Sequence, residues 1–446
     1  MTIDKMNIQE DNLIKTSQSL RVESGAYGVN RDHIVITCPQ ISNIADITEQ
    51  AIAAGQVLNG RNIALYGMAA LIDDEANPGR HHLAPNATLV NEGIIEIHLD
   101  EMVKAYKEQI KATPDSPTGL YRFIKCFAMA AGKNSMLVNE GIIRVYFDQD
   151  IDSDTPVYGE TLLAGENSTI INNGQIQLIG NGSYATQARG IAVPANNMTI
   201  INNGQIKLDM ERASTIRILA TTGLGGAIAN YGSIEVKSSG RIMTIARFAN
   251  THILNEGTVD IVSRARFIEQ KVSFLYQSYP LACAFYEHSF PNASQVPPIV
   301  NNGTVKVHLE GSEASTPHAV AFGIYSEMVG KEEQVHRMEN TGTITVTQSG
   351  PYDFLTAELG ANVQSAKDFP YQIEIGEWHT AARNFAETKD LFVCSSGIFD
   401  FAHARLVLSG EVPSDFKAAD LVYQREEAAQ RGDTCRVVNA DQCIIA

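Results

Sequence analysis

Positive charge is what this sequence most lacks. Lys and Arg total 34 against 51 Asp and Glu, and the formal net charge is −17. Phosphate binding needs clustered cations, so nucleic acid is excluded as a partner class, and adsorption to anionic membranes is disfavoured. Long hydrophobic runs are also missing: no stretch of about eighteen apolar residues occurs, so no inserted helix is expected. The opening "MTIDKMNIQEDNLIKTSQSL" has no apolar core and carries acids where a signal peptide carries Lys or Arg. The expected location is cytoplasmic as encoded, or outside the cell by a route without a cleavable signal. A surface or extracellular location is expected if a leader has been removed.

Cysteine is sparse and scattered, at positions 38, 126, 283, 394, 435 and 443. No C-x-x-C pair and no His/Cys spacing suits zinc, so reduced, buried thiols are expected. Cys435 and Cys443 are near enough in sequence to pair in an oxidising compartment. The acidic run "FDQDIDSDTPVYGE" fails as a calcium loop, because Thr155 and Thr161 stand where Gly and Glu are required. It reads as a solvated loop, and neither metal nor cofactor is expected. No nucleophile elbow, P-loop or dinucleotide fingerprint occurs in a fitting context.

What the sequence does have is a phrase. "STIINNGQIQLIG" begins at Ser168 and "MTIINNGQIKLDM" at Met198. Aligned on the Asn of Asn-x-Gly, the phrase recurs at Asn91, Asn139, Asn172, Asn202, Asn230, Asn255, Asn301 and Asn340. Position −2 is apolar each time, from Leu89 to Met338; so are +4, from Ile95 to Ile344, and +6, from Ile97 to Val346. Period-two alternation around a fixed bend is strand, bend, strand. Separations of 33, 30, 28 and 25 residues between the middle repeats suit one turn of a β-solenoid. A single coil cannot bury its own apolar face, so coils must stack. The Asn and Gly are expected to supply left-handed backbone at the corner, and stacked Asn amides are expected to form a hydrogen-bonded turn ladder. At +5, stacking in sequence order sets Glu96 beside Arg144, Lys207 beside Glu235 and Asp260 beside Lys306. Six glycosylation sequons, among them Asn86, Asn167 and Asn197, read as a consequence of a repeat rich in Asn, Ser and Thr.

The phrase I-x-N-x-G-x-I-x-V, with an upstream A-x-G-I at Ala188–Ile191 and Ala321–Ile324, resembles the repeats of bacterial autotransporter passenger domains. More broadly it is similar to the pectate-lyase-like class over about residues 85–350. The resemblance implies an all-β right-handed parallel β-helix of about ten coils, with lateral loops and short helices. The expected organisation is an N-terminal cap over 1–60, the repeat region over 61–350, and degenerate coils with a helical cap over 351–446. "VCSSGIFDF" still fits the phrase, with Ser395 in place of Asn, and a helix is expected from Ser414 to Gly432. "LDEMVKAYKEQIKA" puts Val103, Tyr106 and Ile110 on one helical face, so a helix on the solenoid flank is expected, with partner binding as the alternative.

Between Phe267 and Phe290 seven aromatics fall in twenty-four residues, against 7% aromatic overall. Phe274, Tyr276, Tyr279 and Tyr286 from this insertion, with Trp378, are the candidate binding residues; a mini-core packed over a sheet is the other reading. His81-His82, Glu287-His288 and Glu377-Trp378-His379 are the histidine-bearing candidates, but neighbours on a strand point apart and do not converge. The expected function is a non-catalytic, adhesin-like β-helical protein presenting a surface to glycan or protein partners. The alternative is a polysaccharide-degrading lyase or hydrolase of the phage tailspike kind.

Overall fold

The computed structural model describes residues 12–37, 56–59, 62–73, 81–98, 123–147, 157–248, 250–264, 281–289, 299–310, 320–328, 337–340 and 342–349. Short strands and single positions from 372 onward, with residues 9 and 297, complete the described set. These residues form two compact units, one up to Ser214 and one from Thr215 onward. Both are built from parallel strands stacked coil on coil, a right-handed parallel β-helix.

In the first unit each coil contributes a strand to three sheets. The ladder sheet holds Tyr27–Asn30, Thr88–Asn91, Met136–Asn139, Thr169–Asn172 and Met198–Asn202. They pair in parallel with the asparagines in register. After the bend, His33–Thr37, Ile94–His98, Ile142–Tyr146 and the start of Gln175–Val193 build a second sheet. There Ile34, Ile95, Ile143 and Ile176 form one column. The third sheet holds Asn62–Asp73, Phe123–Ala131, Val157–Ala164 and the end of Gln175–Val193, with Met68, Met129, Leu162 and Ile191 aligned. Leu137, Ile170, Ile200, Ile143 and Ile176 are fully buried where the three sheets face inward. Burial of each such side chain contributes roughly 1.5–3 kcal/mol.

The first rung lies inside the stretch expected to cap the solenoid. Asn30 stands over Asn91, although Gly28 replaces the apolar residue at −2 and Asp32 replaces the Gly. Gly28 fits because Val22 Cγ1 would lie 2.6 Å from its Cβ, so a side chain from the preceding strand fills the space. Lys15–Thr16 and Leu20–Val22 pair onto the first strands of the second and third sheets. Two antiparallel flanks, Gln56–Asn59 and His81–Leu83, lie along Asn62–Asp73.

In the second unit the ladder strands are Gly226–Asn230, His252–Asn255, Ile299–Asn301, Arg337–Asn340 and Gln372–Ile373. Residues 215–221, Arg241–Phe248, Leu281–Ser289 and Val320–Met328 make its third sheet. Near the C-terminus, Phe392–Cys394 pairs with Val422–Gln424 and Gly397–Asp400 with Cys435–Val438, all in parallel. This corrects the helix expected from Ser414 to Gly432: Val422, Tyr423 and Gln424 are extended, because pairing to a previous coil outweighs local capping signals. The expected helix over 99–112 lies outside the described residues.

Candidate functional site

The repeat's best-matched residues are closed off in the turn. Asn91 Nδ2 donates to Asn139 Oδ1 at 2.8 Å, Asn139 to Asn172 at 2.7 Å, and Asn172 to Asn202 at 2.7 Å. In the second unit Asn230 donates to Asn255 and Asn255 to Asn301, each at 2.7 Å. Asn340 stands in register with Asn301. The carbonyls of Asn91, Asn139, Asn172, Asn230 and Asn255 also take two amides each from the next bend, as Asn172 O does from Asn203 and Gly204 at 2.8 and 2.9 Å. From Asn91 to Asn301 these side chains are buried, and Asn139, Asn172 and Asn255 each both donate and accept through their amides within the ladder.

The expectation of left-handed backbone at this bend is corrected. Neither the ladder asparagines nor their glycines have positive φ. Glycine is needed for close approach instead: a Cβ on Gly174 would strike the carbonyl oxygen of Gly141. The left-handed corner lies five residues earlier, at Gly25, Asn86, Asn134, Asn167, Asn197 and Gly225, with φ between 53° and 72°. Asn86, Asn167 and Asn197 are three of the sequons, and their shared conformation is the reason for asparagine there.

Outward residues of the second sheet carry the more open chemistry. Glu96 Oε1 accepts from Arg144 on the next coil at 2.9 Å, and Glu96 Oε2 lies 3.1 Å from His33 Nε2 on the previous one. This contact is an ion pair only when the imidazole is protonated. Burial pushes the Glu96 carboxyl up, but Arg144 and His33 together outweigh it and hold the group below its ordinary range. Arg144 Nε also donates to Gln177 Oε1 on the following coil at 3.3 Å. Two residues along, His98 and Tyr146 stack with ring centroids 4.6 Å apart and planes 10° from parallel. Both rings are half-buried. The result is a stacked aromatic pair flanked by an anion, a guanidinium and an amide, all on adjacent strands.

On the third sheet, Glu160 is buried and pairs with Arg189 at 2.5 Å. Tyr66 stacks on Phe127 with centroids 5.5 Å apart, and burial, then the Glu160 charge, push its hydroxyl pKa up. Burial raises the Cys126 thiol to about 12, so it is no nucleophile at neutral pH. In the second unit Arg247 is fully buried and donates to the carbonyls of Thr251 at 3.0 Å and Pro297 at 2.6 Å. These are structural anchors without access for a ligand.

Of the aromatic candidates, Phe274, Tyr276 and Tyr279 lie outside the described residues. Tyr286 does not offer a ring to a ligand: it is 3% exposed, its hydroxyl accepts from Arg241 at 3.4 Å, and the Arg241 guanidinium lies 5.5 Å from its ring. Trp378 stands in register with Ile344, in the +4 column, between Glu377 beside Thr343 and His379 beside Thr345. His82 is exposed on the antiparallel flank, and Glu287 and His288 lie in Leu281–Ser289. The acidic run from Asp148 to Asp154 falls outside the described residues. Among the described residues no group of three or more His, Cys, Asp or Glu could hold a metal ion. The His98–Tyr146 platform was missed in the sequence, although both residues occupy +7 of successive repeats, the column beside the Glu96–Arg144 pair.

A family model described as the BigA third pectate lyase-like domain matches residues 2–205, a span that contains the platform and all five ladder strands of the first unit. No curated protein and no solved structure matches the chain.

Proposed function

We propose that this β-helical protein is a non-catalytic, adhesin-like binding protein that takes glycan on the second sheet of its first unit. The stacked His98–Tyr146 pair beside Glu96, Arg144 and Gln177 carries the reading. Sugar C–H groups pack against aromatic rings while their hydroxyls bond to charged and amide groups beside them. The Glu96 carboxyl is tied to Arg144 and held ionised, which suits hydrogen-bond acceptance and is wrong for a general acid.

The likeness to a pectate lyase-like domain motivates a second reading, cleavage of a polysaccharide bound on the same face. One experiment separates the two: a glycan array followed by a reducing-sugar assay on every hit. Binding without new reducing ends is expected, with affinity about tenfold lower in Tyr146→Ala, the loss of one aromatic contact of about 1.4 kcal/mol. Turnover of any glycan would replace the first reading with the second.

A further inference from the structure

The outer face of the first unit's ladder sheet is unlike the rest of its surface. The position before each ladder Asn is occupied by Val29, Val90, Val138, Ile171 and Ile201, and every one remains half-buried at the surface. Two residues earlier stand Tyr27, Thr88, Met136, Thr169 and Thr199, with Tyr27 67% and Met136 42% exposed. Strand registration aligns these into two parallel columns across five coils. Neither column contains a charged residue, in a chain whose net charge is −17.

We infer that this face is a self-association surface on which a second copy of the chain packs, face to face. A flat array of β-branched side chains finds its complement in another such array, because sheets stack about 10 Å apart with interdigitating side chains. Val, Ile and Thr are stiff at χ1, so little rotamer freedom is lost on docking. Charge selects the site: two copies that repel each other elsewhere meet here over two uncharged columns, with Arg31, Glu92 and Glu140 only at the bend edge of the face. Area sets the strength. Five strands at about 4.8 Å, by six residue steps of about 3.3 Å from corner to corner, give a footprint near 480 Å² per copy. The pair buries on the order of 1,000 Å², the lower limit for a specific interface, so the dimer is reversible and concentration-dependent. This contact uses a different sheet from the glycan platform and stands independently of it.

Sedimentation equilibrium of the full chain from about 2 to about 200 µM, at low and at high salt, tests the inference. The average mass is expected to climb from monomer towards dimer, and association to tighten at least threefold at high salt as the mutual repulsion is screened. Ile171→Lys is expected to weaken association at least tenfold, whereas Thr258→Lys, the same charge change at an exposed site of the strand Thr258–Ser263 in the second unit, leaves it unchanged. Should Ile171→Lys fail to fold, Thr169→Lys in the neighbouring column takes its place. A chain that stays monomeric throughout overturns the inference, whatever other protein it captures. So does a dimer that weakens with salt, or one that survives a folded ladder-face variant.

Discussion

Asn172 shows what one residue does in this fold. Its amide donates to Asn202 and accepts from Asn139 in a fully buried turn. Asn172→Ala leaves a buried donor on one side and a buried acceptor on the other, so a loss of about 2–4 kcal/mol is expected, read as a lower denaturation midpoint. Gly174→Ala drives a methyl group into the Gly141 carbonyl, a backbone atom fixed by its own ladder, and a loss of at least about 3 kcal/mol is expected in the same measurement. The asparagine and glycine columns were legible in the sequence, but not the reason for them. Residue type does not report φ, and Asn-x-Gly is equally compatible with a left-handed corner and with a tight stack of carbonyls. The true left-handed column, Asn or Gly five residues before the ladder, was also written in the sequence, where its asparagines read as sequons.

Between elements, charge columns set how one coil meets the next. Glu96 was paired with Arg144 from position alone, and the two meet at 2.9 Å. Because the folded state holds the Glu96 carboxyl below its unfolded value, its contribution is present above the ordinary carboxylate pKa and lost as pH falls through the folded one. Thermal melts from pH 6 to pH 3 are expected to fall less steeply for Glu96→Gln than for the native chain. Glu160 and Arg189 make the stronger case, since both are largely removed from water. Arg189→Leu strands a buried carboxylate and is expected to cost about 3–5 kcal/mol, whereas the double replacement Glu160→Met with Arg189→Leu recovers most of it. Neither Glu160 nor Arg189 stood out in the sequence, because the third-sheet strands carry no fixed Asn-x-Gly from which to count. The first rung was hidden for a related reason. At Gly28 the space reserved for an apolar side chain is filled from Val22, far outside the repeat template.

At the scale of the whole molecule, the parallel β-helix was readable because stacking imposes one pattern on many coils, and eight repeats outvote any local exception. The end of the chain was not: Val422–Gln424 is extended through pairing with Phe392–Cys394, a contact that capping residues cannot announce. The stacked His98–Tyr146 pair was illegible for a third reason. Aromatic density pointed to the insertion around Tyr286, where the ring is buried, while His98 and Tyr146 are single aromatics that become a pair only when two coils forty-eight residues apart in ladder spacing are stacked. The proposed function rests on that pair as a glycan contact without catalysis. The direct test is equilibrium binding of array-selected glycans to the native chain and to Tyr146→Ala, with reducing ends counted in the same samples. Saturable binding by the native chain is expected, with about tenfold weaker binding by the folded variant and no new reducing ends in either. Binding untouched by Tyr146→Ala, or reducing ends that accumulate with time, would overturn the proposed function.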